Sequence, residues 1–308
     1  MGINKIFAGE KSKGHLALLV ANVSWGLMAP FLKDLLNGGV ITPMALSGFR
    51  IIGGALLFWL VSLFVKPSTG VAERIERKDF LPLIVASLLV IGLNQVLIIV
   101  GVSFTSPLDA SVVCSLTPIF TLLFGALIAG AMFSWSKTLG VVVGLSGALI
   151  FVFTGEVDTD VNVANPVLGD AFCLLAQVCG ALYLVCFPKL MSKYSLRTLM
   201  KWLFLISAIA VLPVSVMDMI SVDWSAMTTM QYIDLGFIII FGTCLAYMLI
   251  PVAQRRVEPT VIAMYNYLQP VVAVVSSVAV GLAVLTGMNV LATLFVFVGV
   301  WLVNREKR

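Results

Sequence analysis

Residues 107–118 read PLDASVVCSLTP, and residues 259–270 read PTVIAMYNYLQP. Each is a largely apolar run of twelve residues closed by prolines. An offset of 152 lays Pro107 on Pro259, Leu116 on Leu268 and Pro118 on Pro270. The same offset sets Gly147 on Gly299, and an offset of 155 sets Ala21, Val23 and Leu27 on Ala176, Val178 and Leu182. A proline inside a helix removes one hydrogen bond and clashes with the preceding turn, at about 3 kcal/mol or more. Two such breaks in corresponding places predict a chain built twice.

The medium follows from composition. Of 308 residues, 60% are hydrophobic and 11% charged, with mean hydropathy +1.09. A soluble domain carries about 25% charged residues, so there is too little charge here to cover a water-facing surface. The net charge of +4 therefore speaks of loops, not of nucleic acid. Apolar runs long enough to span a hydrocarbon core lie at His15–Leu36, Thr42–Val65, Phe80–Val102, Pro107–Ala129, Lys137–Thr154, Val167–Leu190, Leu199–Met217, Tyr232–Ala253, Pro259–Gly281 and Asn289–Val303. Alternating ten-residue patterns of a membrane barrel are absent. The predicted fold is an all-α polytopic membrane protein of ten helices. The first run is too long for the core of a cleavable leader, and Lys33-Asp34 makes a poor cleavage site.

Basic residues mark cytoplasmic loops. Under this assignment every Lys and Arg except Lys33 and Arg50 falls on one side, with both termini. An error of one helix would scramble that segregation. Both termini are expected in the cytoplasm, with the protein in a plasma membrane (the inner membrane if the source is bacterial). Five helices per half is an odd number, so the second half (155–308) is expected inverted relative to the first (1–154), the design of secondary transporters.

From Pro107 to Pro118 the chain climbs about 16 Å as a helix, close to half the hydrocarbon thickness. Pro118 and Pro270 thus reach one depth from opposite faces, and each would free the carbonyl four residues earlier, at Cys114 and Asn266. Paired helix breaks are the best sequence pointer to a midplane binding site. Polar and aromatic groups gather there: Asn266 and Gln269 on one face of helix 9 with Tyr265 beside them, and their counterparts Cys114 and Thr117 in helix 4. Asn22 and Trp25 in helix 1 correspond to Gln177 and Gly180 in helix 6. Asn94 and Gln95 in helix 3, Tyr183 in helix 6 and Tyr247 in helix 8 complete the candidate lining. Any single amide among them also fits a role in holding helices together. Pro118 and Pro270 are the candidate hinges.

Arg50 lies about 12 Å into helix 2. An intramembrane arginine is costly and faces an interior. Pairing with Asp109, Asp34 or Asp170 is one role for it, and attraction of a solute carboxylate is another. No acid falls at the predicted midplane, so no central carboxylate relay is visible. Gly140 and Gly144 form a GxxxG pair, a sign of close helix packing that leaves a homodimer open. The five cysteines (Cys114, Cys173, Cys179, Cys186, Cys244) lack metal or redox spacing and read as small apolar residues. The lone histidine, His15, stands at a helix end, and neither a metal centre nor general acid–base chemistry has its usual parts. No enzyme, cofactor or metal is expected.

The stretches PLDASVVCSLTPIF and VEPTVIAMYNYLQPVVAV, with SGFRII in helix 2 and FGTCLAYML in helix 8, resemble the drug/metabolite transporter superfamily in its ten-helix exporter branch with EamA-type repeats. The similarity covers nearly the whole chain. One departure is that a Gly-Glu pair common after helices 4 and 9 is replaced by GAMFSW and GLAVLTGM. The resemblance implies a central cavity lined by helices 1, 3, 4, 6, 8 and 9, and export of amino acids or related metabolites. The residues themselves point to a small uncharged or zwitterionic solute with an apolar part. A channel or lipid scramblase is the alternative, and it would want a continuous polar pore or groove.

Overall fold

The computed structural model describes residues 2–37, 39–64, 73–104, 113, 115–131, 134–154, 165–279 and 286–305, apart from the side chains of 2–9, 29, 30, 33, 37, 102, 103, 151, 152, 154, 166, 277 and 305. All of the regular secondary structure among these residues is helical. We number the helices α1 (Gly2–Asn37), α2 (Pro43–Phe64), α3 (77–104), α4 (Thr117–Leu127), α5 (Trp135–Thr154), α6 (Pro166–Cys186), α7 (Leu196–Ile220), α8 (229–254), α9 (259–279) and α10 (Gly287–Arg305). Among the described residues, α2, α3, α6, α7, α8 and α10 are each long and apolar enough to cross a membrane, and α4 and α5 carry shorter apolar stretches. Large apolar side chains such as Leu63, Phe64, Met217 and Ile220 stand on the outside. That surface suits hydrocarbon and not water. The protein is an all-α polytopic membrane protein.

Several boundaries differ from the sequence reading, each for a local reason. α1 begins at Gly2: no proline stands before His15, and Gly9 and Gly14 each cost a helix only about 1 kcal/mol. α6 ends at Cys186, and Pro188 opens a separate turn, Pro188–Lys193. Pro118 is the second residue of α4. Pro270 is the third residue of Leu268–Ala279, which follows a 3-10 turn at Tyr265–Tyr267. First-turn N–H groups have no acceptor within the helix, so proline costs little there. Pro118 thus opens its helix, whereas Pro270 stands inside the helical run 259–279, just after the 3-10 turn that loosens it. Cys114 and Pro107 lie outside the described residues.

A second pair of irregularities was not expected. α3 is π-helical over Leu88–Gly92 and α8 over Ile238–Leu245. An offset of 152 carries the first segment inside the second. Packing repeats in the same way: α2 lies against α7, α5 against α10, α1 against α8 and α9, and α6 against α3 and α4. The α5–α10 contact is backbone on backbone. A Cβ on Gly147 would stand 2.6 Å from the Ala292 carbonyl oxygen, and one on Gly299 2.6 Å from the Gly144 nitrogen. The Gly140/Gly144 face is thus occupied by α10 and by Met264 and Tyr267 of α9, all of the same chain.

The end of the bundle rich in basic residues is cross-linked by ion pairs. Lys193 meets Glu76 at 2.7 Å and also Asp79, which accepts from the Tyr194 hydroxyl. Arg197 meets Glu73 at 3.1 Å, Lys137 meets Glu258 at 2.6 Å, and Arg256 meets Glu10 at 2.9 Å. Hydrogen bonds from Lys193 and Lys78 hold the Glu76 carboxyl below its ordinary range. Asp79 and then Glu76 hold the Lys193 ammonium above its own.

Candidate binding site between the repeats

The middle of the bundle holds two hydrogen bonds that are copies of one another. Gln269 on α9 donates from Nε2 to Oδ1 of Asn22 on α1 at 3.0 Å. Thr117 on α4 donates from Oγ1 to Oε1 of Gln177 on α6 at 2.6 Å. The two offsets place Asn22 on Gln177 and Thr117 on Gln269, so the second bond is the first repeated. All of Asn22, Thr117 and Gln177 are buried. Asn22 is also fixed by donation to the Leu18 carbonyl at 2.8 Å.

Between these seams runs a chain of polar contacts across four helices. Trp25 on α1 donates its indole N–H to the Gly242 carbonyl at 2.8 Å, inside the π-helical part of α8. The same ring stands edge-on to Tyr247, with centroids 5.6 Å apart. The Tyr247 hydroxyl accepts from Gln95 Nε2, and Gln95 Oε1 accepts from Arg50 Nη1 at 3.3 Å. Arg50 Nε donates to Thr243 Oγ1 at 3.1 Å. Asn94 ties α3 to α6 by donating to the Ala176 carbonyl at 2.7 Å. Across from it, a Cβ on Gly180 would meet Asn94 Nδ2, at 3.5 Å, and nothing else among the described residues. The indole of Trp25 fills the α1–α8 seam, while its counterpart Gly180 leaves room at the α6–α3 seam.

The remaining candidates fall elsewhere. Tyr183 is buried and donates to Gln254 at 2.9 Å. Tyr265 shares a 3.0 Å hydrogen bond with His15, in an open groove of about 340 Å³ against Leu19, Leu268 and Phe297. Asn266 is half-buried, and no hydrogen bond of its side chain is found among the described residues. Neither tyrosine joins the central chain of contacts. For Arg50, pairing with Asp34 or Asp170 is replaced by two uncharged acceptors, because its side chain reaches inward to α3 and α8. Asp109 lies outside the described residues. Sequence reading missed Thr243 and Gly242, which in an apolar helix look like ordinary small residues. Cys173, Cys179, Cys186 and Cys244 form no disulfide among the described residues.

The profile of the EamA-like transporter family matches residues 12–153 and again residues 167–305. The chain belongs to the EamA-like transporter family. Its relatives there include the uncharacterized transporter YyaM of Bacillus subtilis (strain 168), 22% identical over 263 residues, 85% of this chain and 84% of that one. An uncharacterized transporter of Archaeoglobus fulgidus is 24% identical over 201 residues, 65% of this chain and 67% of its own length. The WAT1-related protein At1g68170 of Arabidopsis thaliana is 26% identical over 169 residues, 50% of this chain and 45% of its own. A solved crystal structure with 16% identity superposes with a TM-score of 0.75, covering 94% of this chain and 96% of that one. That likeness shows the fold. Membership makes this EamA-like protein a multi-pass membrane transporter, in a family of transporters and not of enzymes. The two family matches lie either side of the Thr154–Pro166 connection, and the paired hydrogen bonds join one match to the other.

Proposed function

We propose that the protein exports a small amphipathic organic solute, an amino acid or a related metabolite, from the cytoplasm across a plasma membrane by alternating access. The observation that carries this reading is the repeated hydrogen bond. Asn22–Gln269 and Thr117–Gln177 each join a helix of one half to a helix of the other, around a shared polar and aromatic layer. Two halves that rock about such a layer can open it to one side at a time. Trp25, Asn94, Gln95, Gln177, Tyr247, Asn266 and Gln269 are the proposed lining. Residues 1–154 and 155–308 are the proposed moving halves, inverted relative to each other with both termini in the cytoplasm.

Counterflow tests the reading. In proteoliposomes preloaded with unlabelled amino acids, labelled solute should accumulate transiently, because a carrier exchanges one for the other. Flux that is not accelerated from the far side marks a channel or scramblase. Orientation is tested in cysteine-free protein carrying Ser192→Cys or Asp223→Cys, both at exposed positions. Ser192→Cys should be labelled only from the cytoplasm and Asp223→Cys only from outside.

A further inference from the structure

We infer that the Arg50 guanidinium is the receptor for a carboxylate on the solute, an inference that rests on the transport reading and narrows its substrate class to organic acids and zwitterions with an apolar body.

Arginine stays charged in any protein environment. Arg50 sits seven residues into α2, inside a membrane-spanning segment. A charge there is retained only with a partner or a water-filled cavity. Its two hydrogen bonds go to the hydroxyl of Thr243 and the amide oxygen of Gln95, and both acceptors are neutral. Among the described residues no carboxylate lies within ion-pair distance of it. Glu10, Glu73, Glu76, Asp79 and Glu258, which do have cationic partners, stand at the basic end of the bundle. The guanidinium thus keeps a full positive charge, and its Nη2 donates no hydrogen bond among the described residues.

The surroundings hold that charge in place for a ligand. Donation from Gln95 Nε2 to Tyr247 fixes the amide so that its oxygen faces Nη1. The Thr243 hydroxyl donates to the Ile238 carbonyl at 3.0 Å, leaving its lone pairs for Nε. With Nε and Nη1 engaged, Nη2 is the donor left for an incoming oxygen. Charge-assisted bonds from arginine to a carboxylate are about twice as strong as neutral ones. The edge-on pair Trp25–Tyr247 begins one residue from this point and offers an apolar wall for the rest of the solute. An amide of the same shape carries no charge to balance the guanidinium.

Purified full-length protein in nanodiscs is melted with benzoate, phenylacetate or phenylalanine, and with benzamide, phenylacetamide or phenylalaninamide, at one ionic strength set with sodium chloride. The acids should stabilise the protein at concentrations about tenfold or more below those of their amides. In Arg50→Gln that preference should shrink to about threefold or less, and Arg50→Lys should keep it in weaker form. If Arg50→Gln does not fold, the acid-to-amide ratio of the natural protein and of Arg50→Lys decides. Equal response to acid and amide, no response to any of the acids, or an undiminished preference in Arg50→Gln overturns the inference. Counterflow separates the two levels. Equal exchange of acids and amides removes the role of Arg50 and leaves transport standing, whereas acid preference without counterflow removes transport alone.

Discussion

The α1–α9 seam and the α4–α6 seam carry the same hydrogen bond and are built differently around it. In the first, Gly26 lets the helices close up: a Cβ there would stand 2.6 Å from Val272 Cβ and 2.9 Å from the Gln269 carbonyl oxygen. An offset of 155 sets Gly26 on Ala181, which is buried with its methyl group accommodated. Beside the first seam Trp25 bridges to α8; beside the second, Gly180 leaves space in front of Asn94. A duplicated backbone alone would give two like seams. Two exchanges, Gly for Ala and Trp for Gly, make them differ in how closely the helices pack.

That contrast can be broken by substitution, beginning with the tightest contact. Gly26→Ala forces a methyl group into the Val272 side chain and a backbone oxygen, and should cost about 2–3 kcal/mol. The reciprocal Ala181→Gly should cost about 1 kcal/mol, mainly through helix propensity and a lost methyl contact. Thermal unfolding of both variants checks the difference, and equal losses would mean that the seams are equally tight. Next, Gly180→Trp, placed where a Cβ meets nothing closer than 3.5 Å among the described residues, should reduce counterflow per folded molecule about tenfold or more by filling the space proposed for the solute. Unchanged counterflow would move the solute away from the α3–α6 side.

A smaller effect sharpens the likeness of the two seams. Double-mutant cycles on Asn22→Ala with Gln269→Ala, and on Thr117→Val with Gln177→Ala, should each return a coupling of about 0.6 kcal/mol, the usual size for membrane hydrogen bonds. Coupling in only one cycle would show that the symmetry is geometric but not energetic. The smallest effect concerns pH. Glu76, with its carboxyl held low, contributes above its unfolded pKa and loses that contribution as pH falls through the lowered value. Lys193, with its ammonium held high, contributes below its unfolded pKa and loses it as pH rises through the raised value. Between those limits both are engaged. The melting-temperature deficit of Lys193→Met should therefore be flat from about pH 5 to pH 9 and shrink beyond it.

Much of this was legible in the residues. Lipid demands runs of about 20 apolar residues, so the helices and their order could be read directly. The offsets of 152 and 155 already named Asn22 with Gln177 and Thr117 with Gln269 as counterparts, and the structure bonds them crosswise. What failed was depth and direction. Tyr183 lies six residues beyond Gln177, about 9 Å along the helix, and bonds to Gln254 outside the central layer. Arg50 stood at the right height for several aspartates, but its side chain turns to α3 and α8. The π-helical segments were invisible because a shift from i→i+4 to i→i+5 bonding leaves no mark on composition.

Those two segments bear on how the molecule could move. Each holds one more residue per turn than the helix around it. If that surplus passes along the chain, the residues it crosses swing by about 100° about the axis while both ends stay put. In α8 the acceptors of Trp25 and Arg50, Gly242 and Thr243, sit inside the segment. Migration of a single wide turn would unhook both side chains together, a winding motion local to one helix that needs no bend at a proline.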